Sequence, residues 1–183
     1  MGNAKGAVLL GPIKFLRKQR ERARVELPPE LHGYLEEDVR LSAWYPEHDF
    51  VELIRAAARL APGDPEQTIE QMGAAGARAH IEVYGELMRS VKSSSSVFAL
   101  WSAQHDTGRL RGVWESPNSV RVQLIGFDSS SRENCLLAKG YIRGTMESNG
   151  CEDVQVVEVR CELRNDPHCE WRVTWKGEDT PRP

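Results

Sequence analysis

Apolar residues recur at helical spacing through most of the first hundred positions and alternate like strands in the last seventy or so. The clearest helical stripe is Phe50, Leu53, Ile54, Ala57 and Leu60, which predicts an amphipathic helix over Glu47 to Leu60. Upstream, residues 7–24 predict a helix with Ile13, Leu16 and Ala23 on one side, and Pro28-Pro29 ends it. Pro29 to Glu37 predicts a short helix and Val39 to Trp44 a short extended stretch. Pro62-Gly63-Asp64-Pro65 marks a turn, with Asp64 as the cap of the next helix. That helix runs through Ile69 and Met72 towards Ile81 and continues over Val83 to Val91. Gly73 and Gly76 weaken it but allow another helix to come close. Ser93 to Ser96 predicts a loop whose last serine caps a helix through Val97, Leu100 and Trp101.

The period then changes to two. Arg109 to Glu115 and Val120 to Leu124 predict a β-hairpin turned at Ser116-Pro117-Asn118-Ser119. Ser131 to Asn149 predicts a helix, capped by Ser131 and ended by Gly150. Val154 to Leu163 and Glu170 to Trp175 predict a second hairpin. The expected fold class is α+β, with helices packed on a twisted antiparallel sheet and the hairpins in the C-terminal half. The expected division is a basic N-terminal helix or extension at 1–28, a single domain at 29–176 and a frayed tail at 177–183.

Composition narrows the functions. The 183 residues carry a net charge of −3, so there is no general attraction to nucleic acid. No stretch is apolar enough to cross a bilayer, and the start lacks the order of a secretory leader, so a cytoplasmic protein is expected. The basic run Lys14 to Arg24 is a solvated face or a docking helix for a protein partner. No dinucleotide fingerprint, G-x-S-x-G elbow or glycine-rich phosphate loop is present. His105-Asp106 are adjacent in sequence and make no triad. A non-enzymatic protein is expected, with a reductase-related activity as the minor alternative.

All four cysteines lie between positions 135 and 169. Cys135 falls in the first turn of a helix, Glu158 and Cys161 near the end of a strand, and Cys169 at the start of the next. Three thiolates and a carboxylate brought together form a closed tetrahedral set for Zn²⁺. Small buried hydrophobes, or disulfides in an oxidising compartment, are the alternatives. Cys151 stands outside the set.

Gly140-Tyr141-x-x-Gly144, V-x-V-V-E-V-R-C and N-D-P-H-C-E-W-R-V together resemble the vinyl-4-reductase domain over about residues 110–175. Arg160, Asn165 and Trp171 depart from the usual last motif. Relatives of that family include the sensory domains of phenol-responsive bacterial regulators, and its fold is similar to TRAPP tethering-complex subunits and haem–nitric-oxide-binding domains. The resemblance implies a structural zinc on Cys135, Glu158, Cys161 and Cys169, and a homodimer. It also implies a pocket for a small hydrophobic or aromatic ligand at Trp114. Phe98, Trp101, Tyr141 and Ile142 are expected to line that pocket, with His105 as its polar group. The function expected is a zinc-stabilised sensory module acting through a partner or dimer. A ligand-free scaffold like the TRAPP subunits is the alternative.

Overall fold

The two periodicities become two layers in the structure, a computed structural model that describes residues 2–90, 101–128 and 130–176, with backbone alone for 83–90. The helical layer contains β1 (Asn3–Lys5), α1 (Gly6–Arg17), α2 (Arg20–Glu26), α3 (Gly33–Glu36), β2 (Trp44–Pro46), α4 (Glu47–Leu60) and α5 (Pro65–Ser90). The second layer contains β3 (Arg109–Ser116), β4 (Ser119–Ile125), α6 (Arg132–Ser148), β5 (Glu152–Arg160) and β6 (Cys169–Lys176). The architecture is α+β, as the hydrophobic pattern implied.

Helix α4 fills the predicted span and buries Phe50, Leu53, Ile54, Ala57 and Leu60. Residues 7–24 form two helices instead of one, because the chain breaks at Gln19 (φ −128°, ψ 40°). The break lets Leu16 and Ala23 both enter the core alongside Leu9 and Ile13. Residues 1–28 therefore contribute to the same cluster as α4. Three of the six basic side chains in residues 7–24 are turned back onto the chain's own fold, while Lys14, Lys18 and Arg22 are exposed. Arg17 binds the carbonyls of Tyr34 and Glu37, and Arg20 and Arg24 both pair with Glu36.

The four strands make one antiparallel sheet in the order β3-β4-β6-β5. Val120, Val122, Leu124, Val154, Val156, Trp171, Val173 and Trp175 bury one face of it. Ser131 caps α6 by accepting from the Asn134 N–H at 3.1 Å, and Gly150 (φ +84°) ends the segment. Asp64 accepts from the Gln67 N–H at 2.9 Å and caps α5.

Helix α6 joins the layers. Cys135, Ala138 and Ile142 face the sheet, and Leu136 enters the helical core. The stripe Leu136, Gly140, Gly144 repeats every four residues, so it lies along one side of the helix. There α6 meets the backbone of α5. A Cβ on Gly140 would lie 1.8 Å from the Glu70 carbonyl oxygen, and one on Gly73 2.1 Å from the Leu137 carbonyl oxygen. A Cβ on Gly144 would lie 2.6 Å from the Ala74 carbonyl oxygen. Three glycines therefore permit main-chain contact that no other residue allows. Glu66 pairs with Arg132, Glu70 with Lys139 and Arg143, and Arg78 with Glu147, so the helices run in the same direction. The exposed pairs at the two ends add little energy, and all four mark the register.

Gly140→Ala should lower stability by about 3 kcal/mol, because only main-chain displacement relieves the overlap. Gly76→Ala, with nothing within 4 Å of its Cβ, should raise stability by about 0.5–1 kcal/mol. Denaturant midpoints of the two variants check both signs.

Candidate functional site: a thiol triad and a buried glutamate–histidine–tryptophan cluster

The start of α6 meets the β5–β6 turn, and this brings three predicted sulfurs together. Cys135 Sγ lies 3.6 Å from Cys161 Sγ and 3.9 Å from Cys169 Sγ, and the last two are 4.0 Å apart. All three are buried. Sulfurs at these separations can surround a single ion. The turn holds its shape through Asn165, at φ +64°, and through Asp166, whose carboxylate accepts from the Cys161 N–H at 2.8 Å. Cys151 is buried elsewhere and belongs to no such group among the described residues.

The thiols differ in their acidity. Cys169 accepts hydrogen bonds from the Cys135 thiol and, at 3.4 Å, from the Glu162 N–H, which pull it down to about 7 against burial. Donation to Cys169 pushes the Cys135 thiol well up, and burial raises Cys161. Glu158, the fourth expected ligand, is not among the converging atoms. Its Oε2 is held by Arg164 at 3.0 Å and Arg132 at 3.3 Å, while its Oε1 is buried without a hydrogen-bond partner.

The expected pocket residues occupy three places. Trp101 and His105 stand on one helical turn, residues 101–104 and the position after it, with rings stacked at 4.1 Å. Phe127 packs edge-on against both, at 5.3 and 6.1 Å. His105 Nδ1 lies 3.1 Å from Glu47 Oε2, and the backbone of His105 bridges to Ala4 of β1. Tyr141 points the other way, to His80, with its hydroxyl 3.0 Å from Nδ1. Trp114 packs edge-on against Trp175 at 5.9 Å, and Ile142 lies in the sheet-side core. Phe98 lies outside the described residues. An open groove of about 350 Å³ runs beside Trp175, lined by Asp153, Gln155, Thr174 and Lys176 as well. None of the five described pocket residues lines this groove, although Trp114 abuts Trp175.

The pattern missed Glu47 and Gln104. Glu47 is fully buried, and its Oε1 has no hydrogen-bond partner; the same holds for Gln104 Oε1. A glutamate opening a helix ordinarily complements the helix dipole at the surface, so nothing in W-Y-P-E-H-D-F marks it as buried. Its burial follows from β1, which lies beside β2 and binds Asp106 through Asn3.

Solved structures share this architecture over nearly the whole chain. An H-NOX protein from S. oneidensis, in the Fe(II) ligation state, superposes with a TM-score of 0.71 at 12% identity, covering 98% of this chain and 100% of that one. A mutant of T. tengcongensis H-NOX gives 0.67 at 14% identity, covering 94% and 98%. An oxygen-binding H-NOX domain related to soluble guanylate cyclases gives 0.66 at 12%, covering 94% and 95%. Identity at this level establishes a shared fold. No family model and no curated protein matches the chain.

These findings correct two expectations. The resemblance to the vinyl-4-reductase domain is not upheld, and of its wider circle only the similarity to haem–nitric-oxide-binding folds stands. The structural zinc implied by that resemblance is overturned with it, since the neighbours are described with Fe(II) and haem.

Haem itself does not fit the residues described. A porphyrin needs a broad apolar cleft and an axial side chain facing it. The His105 ring is stacked on Trp101, flanked by Phe127 and bonded to Glu47, and His80 is engaged by Tyr141. The thiols face one another, and the groove beside Trp175 contains neither histidine nor cysteine. Among the described residues no axial ligand faces such a cleft.

His80 supplies a pH test. Burial, with His105 nearby, holds its imidazole below the ordinary value of 6.5. The unfolded chain therefore takes up the proton first, and stability is lost as pH falls below about 6.5. Chemical-denaturation free energies of His80→Gln should fall less steeply over that range than those of the wild type.

Proposed function

We propose that the chain is a non-enzymatic sensory module that binds a small aromatic molecule carrying a hydrogen-bond donor and passes the bound state to a partner protein. One observation supports the ligand most directly. Two buried acceptors without donors, Glu47 Oε1 and Gln104 Oε1, belong to or adjoin the helical turn that carries the Trp101–His105 stack. A buried acceptor left unmade costs about 1–3 kcal/mol, so a site of this kind rewards a ligand that brings the missing donor. Trp101, His105 and Phe127 make the surroundings of these acceptors aromatic, which favours a ligand with a ring of its own. A hydroxylated or aminated aromatic has both features.

The fold supports the sensory half of the reading. The neighbours are described by ligation state and by oxygen binding, and the match spans nearly the full length of each. In this chain the cluster lies where β1, the start of α4 and the turn at 101–105 meet, so a ligand there would shift the contact between the N-terminal strand and the sheet layer. The three thiols Cys135, Cys161 and Cys169 are proposed as the clip that holds α6 on the β5–β6 turn.

Thermal-shift measurements test the ligand. Phenols and anilines at about 100 times their dissociation constants should raise the melting temperature by roughly 5–10 °C. Ring isosteres without a donor should act weakly, and hemin should give no sharp Soret band. Trp101→Ala and Glu47→Gln should remove the response. Indifference to every aromatic class, or specific hemin loading, defeats the reading.

The clip has a separate check. Cd²⁺ should produce thiolate-to-metal absorption in the wild type, and Cys161→Ser should lose most of it. An unchanged spectrum in the wild type removes the ligand set.

A further inference from the structure

Strand β5 is the last strand of the sheet order β3-β4-β6-β5, so among the described residues one side of its backbone is unpaired. Proteins usually guard such edges with charge, lysine above all, or with proline, bulges or shortness; β5 has charges and irregularities only towards its two ends. β5 is nine residues long and contains neither lysine nor proline. Val157 is 57% exposed and Val159 37%, and Leu163, in the turn that follows, is 50% exposed. These are three of the six large hydrophobics found exposed among the described residues, and all three belong to one strand and its turn. Irregularities at Glu152/Gln155 and Glu158/Arg160 bend the two ends, and the stretch between them keeps regular register with β6.

We propose that β5 is a self-association surface, at which two copies of this chain pair edge to edge and antiparallel. The charges on the strand single out a second copy as the occupant. Glu152 opens β5 and Arg160 closes it, and both are exposed; each stands opposite a countercharge on β6, Lys176 and Glu170, but makes no ion pair within 4 Å among the described residues. A two-fold axis near Val156 sets Glu152 of each copy opposite the partner's Arg160, twice over. An unrelated strand would have to match that pattern by accident, whereas a second copy matches it by symmetry. The pairing satisfies the free backbone groups of both edges and gathers the exposed valines of both copies on one face of a joined sheet. It also places the two thiol triads, each following the end of its β5, on either side of the joint. The inference rests on the edge strand and is independent of the sensory reading.

Sedimentation velocity on the full chain, across the micromolar range, tests it. The wild type should be a reversible dimer. Val157→Lys should be monomeric with an unchanged melting temperature, since the side chain is exposed in the monomer. Arg160→Glu should weaken the dimer about tenfold by losing two rim pairs and creating like-charge contacts. The double variant Glu152→Arg/Arg160→Glu, which reverses both signs, should restore it. A wild type that stays monomeric throughout overturns the proposal. So does a dimer that survives Val157→Lys, or a double variant no tighter than Arg160→Glu alone.

Discussion

Main-chain contact between α5 and α6 is the constraint on which the rest of the structure depends. Gly73, Gly140 and Gly144 remove the side chains that would hold the two helices apart, and Cβ atoms there would overlap carbonyl oxygens. This closeness gives α6 two neighbours at once, with Leu136 in the helical core and Cys135, Ala138 and Ile142 against the sheet. A helix held at ordinary spacing from α5 would sit differently on the sheet, and its first turn would miss the β5–β6 turn where the thiols meet. Packed interiors transmit such displacements because they contain little free volume. The thiol triad is therefore a consequence of the glycine seam as much as of the cysteines.

A second constraint acts at β1. β1 is three residues long, too short to be stable alone, yet it pairs with β2 and bridges to His105. Asp106 fastens it through the backbone and side chain of Asn3. The closure buries Glu47 beside His105 and leaves one of its oxygens without a donor. Burying a carboxylate in this way is costly, and such costs concentrate where a protein binds something. The fold is shared with H-NOX domains, but the aromatic and acidic residues around His105 form their own arrangement, and chemistry has to be argued from that site.

Both constraints set limits on how the chain can act. No helix among the described residues is long and apolar enough to cross a membrane. Arg17, Arg20 and Arg24 are occupied within the N-terminal region, where they fasten α3 and the residues beside it. Half of the exposed large hydrophobics among the described residues lie on β5 and its turn.

Much of this was legible in the chain itself. The stripe over Glu47 to Leu60, the hairpin turned at Pro117-Asn118, the Ser131 and Asp64 caps and the Gly150 terminus all came out as the local pattern dictates, because each rests on neighbours within a few residues. The clustering of Cys161 with Cys169 was legible for the same reason, and Cys135 joined them once α6 lay on the hairpin. Glu158 did not join, because Arg132 and Arg164, from a helix and from a turn, hold its carboxylate. Tyr141 turned to His80 and away from Trp101, since residues sharing a helix need not share a face. The family resemblance misled because short motifs record local turns and sulfurs, whereas the solved neighbours report the whole path of the chain. Local spacing determined the helices, the hairpins and two of the three sulfurs of the triad. Burial of Glu47, the edge position of β5 and the partners of each polar side chain depend on contacts between residues far apart in sequence, so tertiary packing alone decided them.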